Sequence, residues 1–280
     1  MKTISRAALL SVVAIAWIVA SAALPAAQEP AAVARPVLTP EQMEDFLLHA
    51  KVVKMKAVGK GVTQPRRATL SDGQMTHDAK IQTVNESKVK FEGTRGTELN
   101  FRDYYGFNVT GYRLARLLGL DNVPVNVERR IDGTPAAVEW WLDDFSMDEN
   151  DRQKKHTSGP DPQRTAKQTH IMRVFDELIE NTDRTGENIL WTKDWKLWLI
   201  DHTRAFRIDK ELKNPKLLER CEANLLEKMR GLTAETVRRE LGDTISKSEL
   251  EALLARRDAI VKHFDGLIAE RGRGAILFTM

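Results

Sequence analysis

Residues 175–190 read FDELIENTDRTGENIL, and residues 199–206 read LIDHTRAF after one short hairpin. The apolar residues at helical spacing before Asp183 predict a helix that ends near this aspartate. Asn188 follows at the mouth of a predicted strand, and Asp201 closes the next strand. Because short loops at strand ends fix the side chains they carry, we expect the oxygens of these three residues to lie close together.

Three oxygen-bearing side chains in this order suit phosphoryl transfer. One carboxylate has to lie near the acceptor hydroxyl, while an amide oxygen and a second carboxylate hold Mg²⁺ or Mn²⁺ against the nucleotide phosphates. We therefore predict Asp183 as the catalytic base or acceptor-orienting group, and Asn188 and Asp201 as metal ligands, with ATP and Mg²⁺ or Mn²⁺ as cofactors. His202 and Arg204 are interpreted as residues that orient a neighbouring carboxylate or cap a loop.

Each of these residues also has an ordinary structural explanation. Aspartate–arginine pairs in loops that end helices are commonly solvated caps, and an aspartate after an apolar strand is often a turn former. The joint order and spacing on one helix, loop, hairpin and loop favour the functional interpretation.

The run from Asp183 to Asn188, DRTGEN, resembles the D-R-x-x-x-N catalytic loop of phosphatidylinositol 3- and 4-kinase-like enzymes. The sequence Ile200-Asp201-His202 likewise resembles their metal-binding I-D-[FH] motif. The same arrangement is similar to that of HipA-type bacterial kinases and of secretory-pathway kinases related to Golgi casein kinase. The resemblance implies an α+β, two-lobed protein-kinase-like fold and an ATP-dependent phosphotransferase that acts on an alcohol group of an acceptor.

The remainder of the chain is divided by its patterning into two parts. Thr39, Pro40 and Gln42 form a capping-box pattern, and glycine-punctuated segments rich in Val, Thr and Lys follow, which predicts a helix and then an antiparallel sheet. A polar stretch with Gly and Pro interrupts this pattern, and helical spacing dominates after it. We predict a sheet-rich N-terminal lobe over residues 39–145 and a helical C-terminal lobe over residues 146–280.

A nucleotide site in the first lobe requires a strand lysine that reaches the phosphates and a turn that covers them. Lys90 is the predicted lysine, because Val89 and Phe91 alternate with it and leave one strand face for ammonium groups. The alternative for Lys90 is a solvated edge strand, on which lysines are common. Gly59 and Gly61 are the predicted phosphate-covering turn, although two glycines in a hairpin are also ordinary.

The helix predicted around Tyr112 carries Asn108 where the kinase resemblance implies an acidic partner for the lysine. An asparagine cannot offset the lysine charge, whereas Glu98 or Asp103 just upstream has the carboxylate to do so. The loop departs from the family pattern at a second position, because Thr185 stands where a histidine often follows the arginine. These departures bear on catalytic competence and on the lipid-kinase assignment.

Composition excludes several other classes of function. The 280 residues carry a formal net charge of +3 from 43 basic and 40 acidic side chains scattered along the chain, so no nucleic-acid partner is indicated. The single cysteine, Cys221, excludes an intrachain disulfide, and the six histidines show no metal-ligand spacing. The sequence has no zinc-protease, C-x-x-C, nucleophile-elbow or P-loop motif.

The first residues are typical of an export signal. Lys2 and Arg6 precede an apolar run from Ala7 to Leu24, which small residues follow. Residues 1–27 are therefore predicted to be a signal peptide or, because the run approaches the roughly 20 residues that span a bilayer, an N-terminal membrane anchor. Residues 28–38, rich in Ala and Pro, are the predicted linker. The expected location is a periplasm, the exterior or a secretory-pathway lumen.

Three functions remain open from the sequence. The first is an ATP-dependent kinase with an unknown phosphate acceptor. The second is a pseudokinase or nucleotide-binding module without turnover, and the third is an exported helical scaffold. Protein, lipid, carbohydrate and small-molecule acceptors all remain open, because no stretch resembles a docking loop for one of them.

We predict that the mature protein begins between Ala23 and Gln28, because only there do small residues follow the apolar run. N-terminal sequencing of exported material measures this directly. Recovery of a chain with intact Met1 from a membrane fraction would show an anchor instead.

Overall fold

Helix α1 begins directly after Thr39. The computed structural model describes residues 38–58, 65–93 and 96–280, so the predicted signal or anchor over residues 1–27 and nearly all of the linker lie outside the described residues. Thr39 Oγ1 accepts a hydrogen bond from the Gln42 backbone at 3.3 Å, and Gln42 Oε1 accepts one from the Thr39 backbone at 2.8 Å. The capping box predicted from the sequence is thus confirmed.

The first part of the described chain is dominated by one antiparallel sheet. Its strands lie in the order β1-β2-β3-β7-β6, and β4 and β5 form a separate two-stranded hairpin. Buried Phe107 and Leu114 of helix α2 belong to the same core as Ile81 and Val138 of the sheet. In chain order the elements are α1 Pro40–His49, β1 Lys51–Ala57, β2 Arg66–Ser71, β3 Thr76–Gln82, β4 Asn85–Gly93, β5 Gly96–Tyr104, α2 Gly106–Leu117, β6 Asn126–Ile131 and β7 Thr134–Trp140.

The second part is mainly helical. A small sheet in the order β10-β9-β8 opens it, and a short parallel pair, β11 and β12, joins Cys221–Glu222 to the end of the chain. Its elements are β8 Phe145–Asp148, α3 Glu149–Lys154, α4 Pro162–Ile179, β9 Ile189–Thr192, β10 Leu197–Leu199, β11 Cys221–Glu222, α5 Ala223–Gly231, α6 Ala234–Leu241, α7 Lys247–Arg271, α8 Arg273–Ile276 and β12 Leu277–Phe278. No helix in residues 38–58, 65–93 or 96–280 has the length and apolar character to cross a membrane.

Helix α4 connects the core to the segment that carries Asp183. Its buried residues Ile171, Val174, Phe175 and Leu178 recur at helical spacing, as the sequence pattern predicts. They belong to one continuous apolar cluster that also contains residues of the first sheet, α2 and α7. The end of α4 is therefore held in place by packing on its apolar face.

The hairpin of β6 and β7 closes with a two-residue turn. Ile131 pairs with Thr134, and the two residues between them, Asp132 and Gly133, have φ values of 50° and 79°. Positive φ at both central positions is what a type I′ turn requires, and aspartate and glycine adopt it at low cost.

The polar stretch between the two parts contains regular structure. Residues 143–168 include β8, α3 and the start of α4, because β8 pairs with β9 and Glu149 Oε2 accepts a hydrogen bond from Trp191 Nε1 at 2.9 Å. The predicted helix around Tyr112 is α2, which begins at Gly106, and Asp103 belongs to β5.

A buried guanidinium ties three segments of the helical part together. Arg256 of α7 is fully buried, and it donates to the carbonyl oxygens of Leu178 at 2.9 Å, Arg207 at 2.9 Å and Asp209. It also pairs with Glu180 Oε2 at 3.1 Å. Burial raises the pKa of Glu180 to about 7, although Arg256 and Lys213 act in the opposite direction. The segment that follows Asp201 is thus fixed to α7 and to the end of α4.

We expect Arg256→Ala to lower the free energy of unfolding by about 3–5 kcal/mol, because it leaves a buried carboxyl group and three carbonyl oxygens without their donor. Chemical denaturation measures the loss. The control is Arg239→Ala, which removes an exposed arginine paired with Glu240 and should cost less than about 1 kcal/mol. An Arg256 variant as stable as that control would show that the buried contacts contribute little.

Candidate active site

Arg184 fixes the loop that joins α4 to β9. Its Nε and Nη2 atoms bind the carboxylate of Asp176 at 3.0 and 2.9 Å. Its Nη1 atom donates to the carbonyl oxygens of Asn188 at 2.8 Å and Ile200 at 2.7 Å. One planar fork therefore connects helix α4 to both strand ends of the β9–β10 hairpin.

Asp183, Asn188 and Asp201 lie on the α4–β9 loop and on one end of the β9–β10 hairpin. Ile200 donates its backbone N–H to the Asn188 carbonyl oxygen at 3.1 Å, so Asn188 and Asp201 leave the β9–β10 hairpin at the same end. The Asn188 side chain turns back toward the loop, where its Nδ2 donates to the Asp183 carbonyl oxygen at 3.1 Å. This bond engages the amide nitrogen, and the amide oxygen is the atom that can bind a cation.

Asp201 is held as a carboxylate at the end of its loop. Its Oδ1 atom accepts hydrogen bonds from Gln82 Nε2 and Thr203 Oγ1, both at 3.2 Å. Burial on its own raises the pKa of Asp201, but the nearby Lys80 charge and these two hydrogen bonds outweigh it and lower the pKa below its ordinary value. The φ value of Asp201 is 58°, an uncommon conformation for an aspartate that turns the chain sharply after β10.

The cation that faces Asp201 is Lys80, a residue that the sequence analysis missed. Lys80 lies on β3 opposite Glu139 of β7, and its Nζ is 4.0 Å from Glu139 Oε1. Burial raises the pKa of Glu139. The charge of Lys80 acts against this rise and the charge of Asp201 adds to it, so the pKa stays above its ordinary value. Asn126 of β6 donates to the other Glu139 oxygen at 3.1 Å. Lysine and glutamate thus form a buried pair in the middle of the sheet.

The structure places Lys90, the lysine predicted from the sequence, elsewhere. Lys90 lies on the β4–β5 hairpin, outside the five-stranded sheet, and its Nζ is 2.6 Å from Glu92 of the same strand. Its side chain is 61% exposed, whereas that of Lys80 is 11% exposed. Strand β4 pairs with β5 and does not pair with β3 or β7, which carry Lys80 and Glu139. Gly59 and Gly61, the predicted phosphate-covering turn, lie outside the described residues.

Asn108 joins α2 to the site through hydrogen bonds instead of a charge. Its Oδ1 accepts from the His202 backbone at 2.7 Å, and its Nδ2 donates to Gln82 Oε1 at 2.7 Å. Since Gln82 donates in turn to Asp201, a chain of amides connects α2, β3 and the Asp201 loop. An acidic side chain could not donate the second of these bonds.

His202 packs beneath this chain of amides. Burial, followed by the charges of Arg184 and Lys80, lowers the pKa of His202 well below its ordinary value, so the ring is neutral. Gly111 of α2 leaves room for it, because a Cβ atom at that position would lie 3.2 Å from the ring Cγ. His202 is thus a packing residue between α2 and the Asp201 loop.

Asp183 faces a cleft of about 960 Å³. One wall is the β4–β5 hairpin with Phe91, Thr97 and Glu98, and the other holds Asp183 and Arg204. The Asp183 side chain is 39% exposed, and its Oδ2 lies 3.7 Å from Arg204 Nη1. A molecule in this cleft would approach the carboxylate directly.

Histidine, cysteine and acidic side chains do not form a closed metal cage here. In the part of the chain that the structure describes, no three of them converge as a set that could hold a metal ion. Asp201 with the Asn188 amide is a partial ligand set, which suits a cation that also binds phosphates and water.

Solved kinase structures share this fold. Hydra Fam20, in a structure with sugar, matches with a TM-score of 0.65 at 13% identity over 85% of this chain and 92% of that chain. The Golgi casein kinase matches with a TM-score of 0.61 at 11% identity over 85% of this chain and 78% of that chain, also in a structure with Mn and ADP bound. No protein family model and no curated protein matches the chain. The expected mixed α/β, kinase-like fold, with an antiparallel sheet followed by helices, is confirmed.

Proposed function

We propose that this chain is an atypical ATP-dependent kinase that uses Mg²⁺ or Mn²⁺ and transfers phosphate to an alcohol group. The observation that carries the proposal is the buried group of Lys80, Glu139 and Asp201 on a kinase-like fold, next to the loop and hairpin end that carry Asp183 and Asn188. Buried charges are costly unless they are paired, and a lysine, a glutamate and an aspartate buried near one another are typical of a functional site. A structural scaffold has no need of this arrangement.

The residues fit the nucleotide and metal that the fold implies. Asp201 is a buried carboxylate that stays ionised, and Asn188 offers an amide oxygen from the same end of the hairpin. A bound Mg²⁺ or Mn²⁺ would neutralise charge on the phosphates. Lys80 would donate to phosphate oxygens, and its partner Glu139 would hold it in place. The solved Golgi casein kinase structure with Mn and ADP supports this choice of cofactors.

Glu139 would supply the acidic partner of the lysine that Asn108 cannot supply. The resemblance implies an acidic partner for the lysine on the helix that is α2 here, and that position holds an asparagine. In this chain the acidic partner comes from β7, next to the lysine strand, so the ammonium group keeps a counter-charge. We therefore assign Asn108 to the support of Gln82 and the Asp201 loop, and Lys80 takes the role first predicted for Lys90.

Asp183 would act on the acceptor. Its backbone is fixed by the Thr185 N–H at 2.8 Å and by Asn188, while its carboxylate lines the cleft beside the β4–β5 hairpin. A hydroxyl that enters the cleft within about 2.6–3.2 Å of this carboxylate would donate its proton there as it attacks the terminal phosphate. The DRTGEN loop, which resembles that of phosphatidylinositol 3- and 4-kinase-like enzymes, supports this role.

The acceptor classes to test first follow from the similar proteins. One of them was solved with sugar and another is a casein kinase, so glycosides and casein are the two starting substrates. The Golgi location in the second name supports the proposed export of this chain, with or without a membrane tether. A nucleotide-binding module without turnover is the second candidate. The observation that favours it is the absence of an acidic residue at position 108 of α2, which would limit catalysis if Glu139 does not take over that role.

Lys80→Ala and Asp201→Ala should each weaken Mn²⁺-dependent ADP binding by at least about 100-fold, the upper end of what is lost when only a supporting residue of a metal site is changed. Titration calorimetry measures this. Lys90→Ala is the matched comparison and should bind as wild type does, because its ammonium group pairs with Glu92 on an exposed strand. Equal losses in Lys80→Ala and Lys90→Ala would contradict the assignment of Lys80.

Asp183→Asn should lower phosphate transfer by at least about 10²-fold, because the amide keeps the shape of the carboxylate but cannot accept the proton. Affinity for Mn²⁺ and ADP should stay within twofold of wild type. Radiolabelled ATP with casein, glycosides and water as acceptors measures transfer. Wild-type protein that binds nucleotide but transfers no phosphate would support the binding module, and undiminished transfer in Asp183→Asn would remove this residue from catalysis.

A further inference from the structure

Arg204 lies between the β4–β5 hairpin and the predicted base. Its Nε atom donates to Asp103 Oδ2 at 3.0 Å, and the Asp103 side chain is almost fully buried on β5. The guanidinium carbon lies 5.2 Å from the ring centroid of Phe101 and 5.7 Å from that of Phe91. A carboxylate and two aromatic rings of the hairpin thus set the plane of the guanidinium.

The other end of the same side chain reaches Asp183. Arg204 Nη1 lies 3.7 Å from Asp183 Oδ2, which is the distance of an ion pair and longer than a hydrogen bond. The backbone is connected as well, because Thr182 donates its N–H at 3.4 Å and its Oγ1 at 3.1 Å to the Arg204 carbonyl oxygen. The segment after Asp201 and the loop before Asp183 therefore hold their positions together.

Arg207, three residues later, lines the same cleft but has different contacts. Its Nη1 donates to the Arg102 carbonyl oxygen at 2.8 Å, and its side chain is 9% exposed. Arg204 is 24% exposed and lies 3.7 Å from Asp183, so it presents more of its side chain to the cleft and pairs with the predicted base. Hydrogen bonding to Asp103, with the charges of Asp103, Asp183 and Glu98, outweighs burial and raises the pKa of Arg204, so it remains a cation.

We infer that Arg204 is a positioning residue that orients the Asp183 carboxylate toward the acceptor and couples it to the β4–β5 hairpin. The inference rests on the proposed kinase function. A 3.7 Å ion pair restricts the carboxylate through charge without binding the oxygen that must accept a proton. Asp103 keeps the Arg204 guanidinium from moving closer to Asp183. Such a movement would break the hydrogen bond to the buried Asp103 carboxylate, which costs free energy.

A double-mutant cycle with phosphate transfer as the readout tests this role. Arg204→Met should lower kcat by about 10- to 100-fold, the size expected when a reacting group is misplaced by about 1 Å. It should leave the Kd for ADP and Mn²⁺ within twofold. In an Asp183→Asn background the same change should lower kcat by less than twofold, because Arg204 acts through the carboxylate that is already gone. A merely structural arginine would lower both backgrounds equally.

Two further variants accompany the double-mutant cycle. Asp103→Asn keeps the shape of the anchor but weakens its hold on Arg204, and it should lower kcat by a smaller factor with the same dependence on Asp183. If Arg204→Met fails to fold, this variant decides the question. Arg113→Met is the control. It removes an arginine of α2 that pairs with Asp243, and it should leave kcat and Kd unchanged.

The outcomes separate the two proposals. Transfer by wild type with equal kcat in Arg204→Met, or with equal losses in both backgrounds, overturns the positioning role and leaves the kinase intact. Nucleotide binding without transfer by wild type overturns the kinase proposal and this role with it. A kcat loss that disappears in the Asp183→Asn background supports both.

Discussion

The guanidinium group of Arg184 is the contact on which the site geometry depends. Strand ends leave carbonyl oxygens without partners in the ladder, and in a half-buried place these oxygens need donors. Arg184 supplies such a donor to the Ile200 carbonyl oxygen. It gives a second donor to the Asn188 carbonyl oxygen, which also accepts from the Ile200 N–H, and it binds Asp176 with its remaining nitrogens. The helix, the loop and the hairpin are thereby fixed relative to one another, and the three site residues are carried by these pieces.

A second set of contacts joins the five-stranded sheet to the loop that begins at Asp201. It consists of charged side chains and neutral amides. Lys80 and Glu139 pair across adjacent strands, and Asp201 approaches the same lysine from the loop. Neutral amides of Gln82 and Asn108 complete the connection to α2. Charge is therefore concentrated where Lys80, Glu139 and Asp201 meet, while the position of α2 is set by hydrogen bonds between neutral groups.

Local spacing was enough to predict the loop and hairpin that carry Asp183, Asn188 and Asp201, because these elements follow one another in the chain. The buried pair of Lys80 with Glu139 could not be predicted in this way. Lys80 and Lys90 both alternate with apolar neighbours, and only strand pairing between distant segments, β3 with β7, separates them. The immediate neighbours of both lysines are apolar, Ala79 and Ile81 for Lys80 and Val89 and Phe91 for Lys90, so the local sequence carries no signal that separates them. The pairing of β8 with β9 was missed for the same reason, because it joins segments more than 40 residues apart.

The raised pKa of Glu180 links the folding of this chain to the uptake of protons. In the unfolded chain this carboxyl group titrates near 4.5, and in the folded protein near 7, so between these values the folded state binds more protons. The stability that Glu180 contributes is therefore fully present below about pH 4.5 and is lost as the pH rises through about 7. At this one position mild acid favours the folded state. Carboxylates in surface ion pairs have the opposite effect, because acid protonates them and breaks those pairs. The contribution of Glu180 to the stability of the junction of α4, α7 and the segment after Asp201 is thus largest in weak acid.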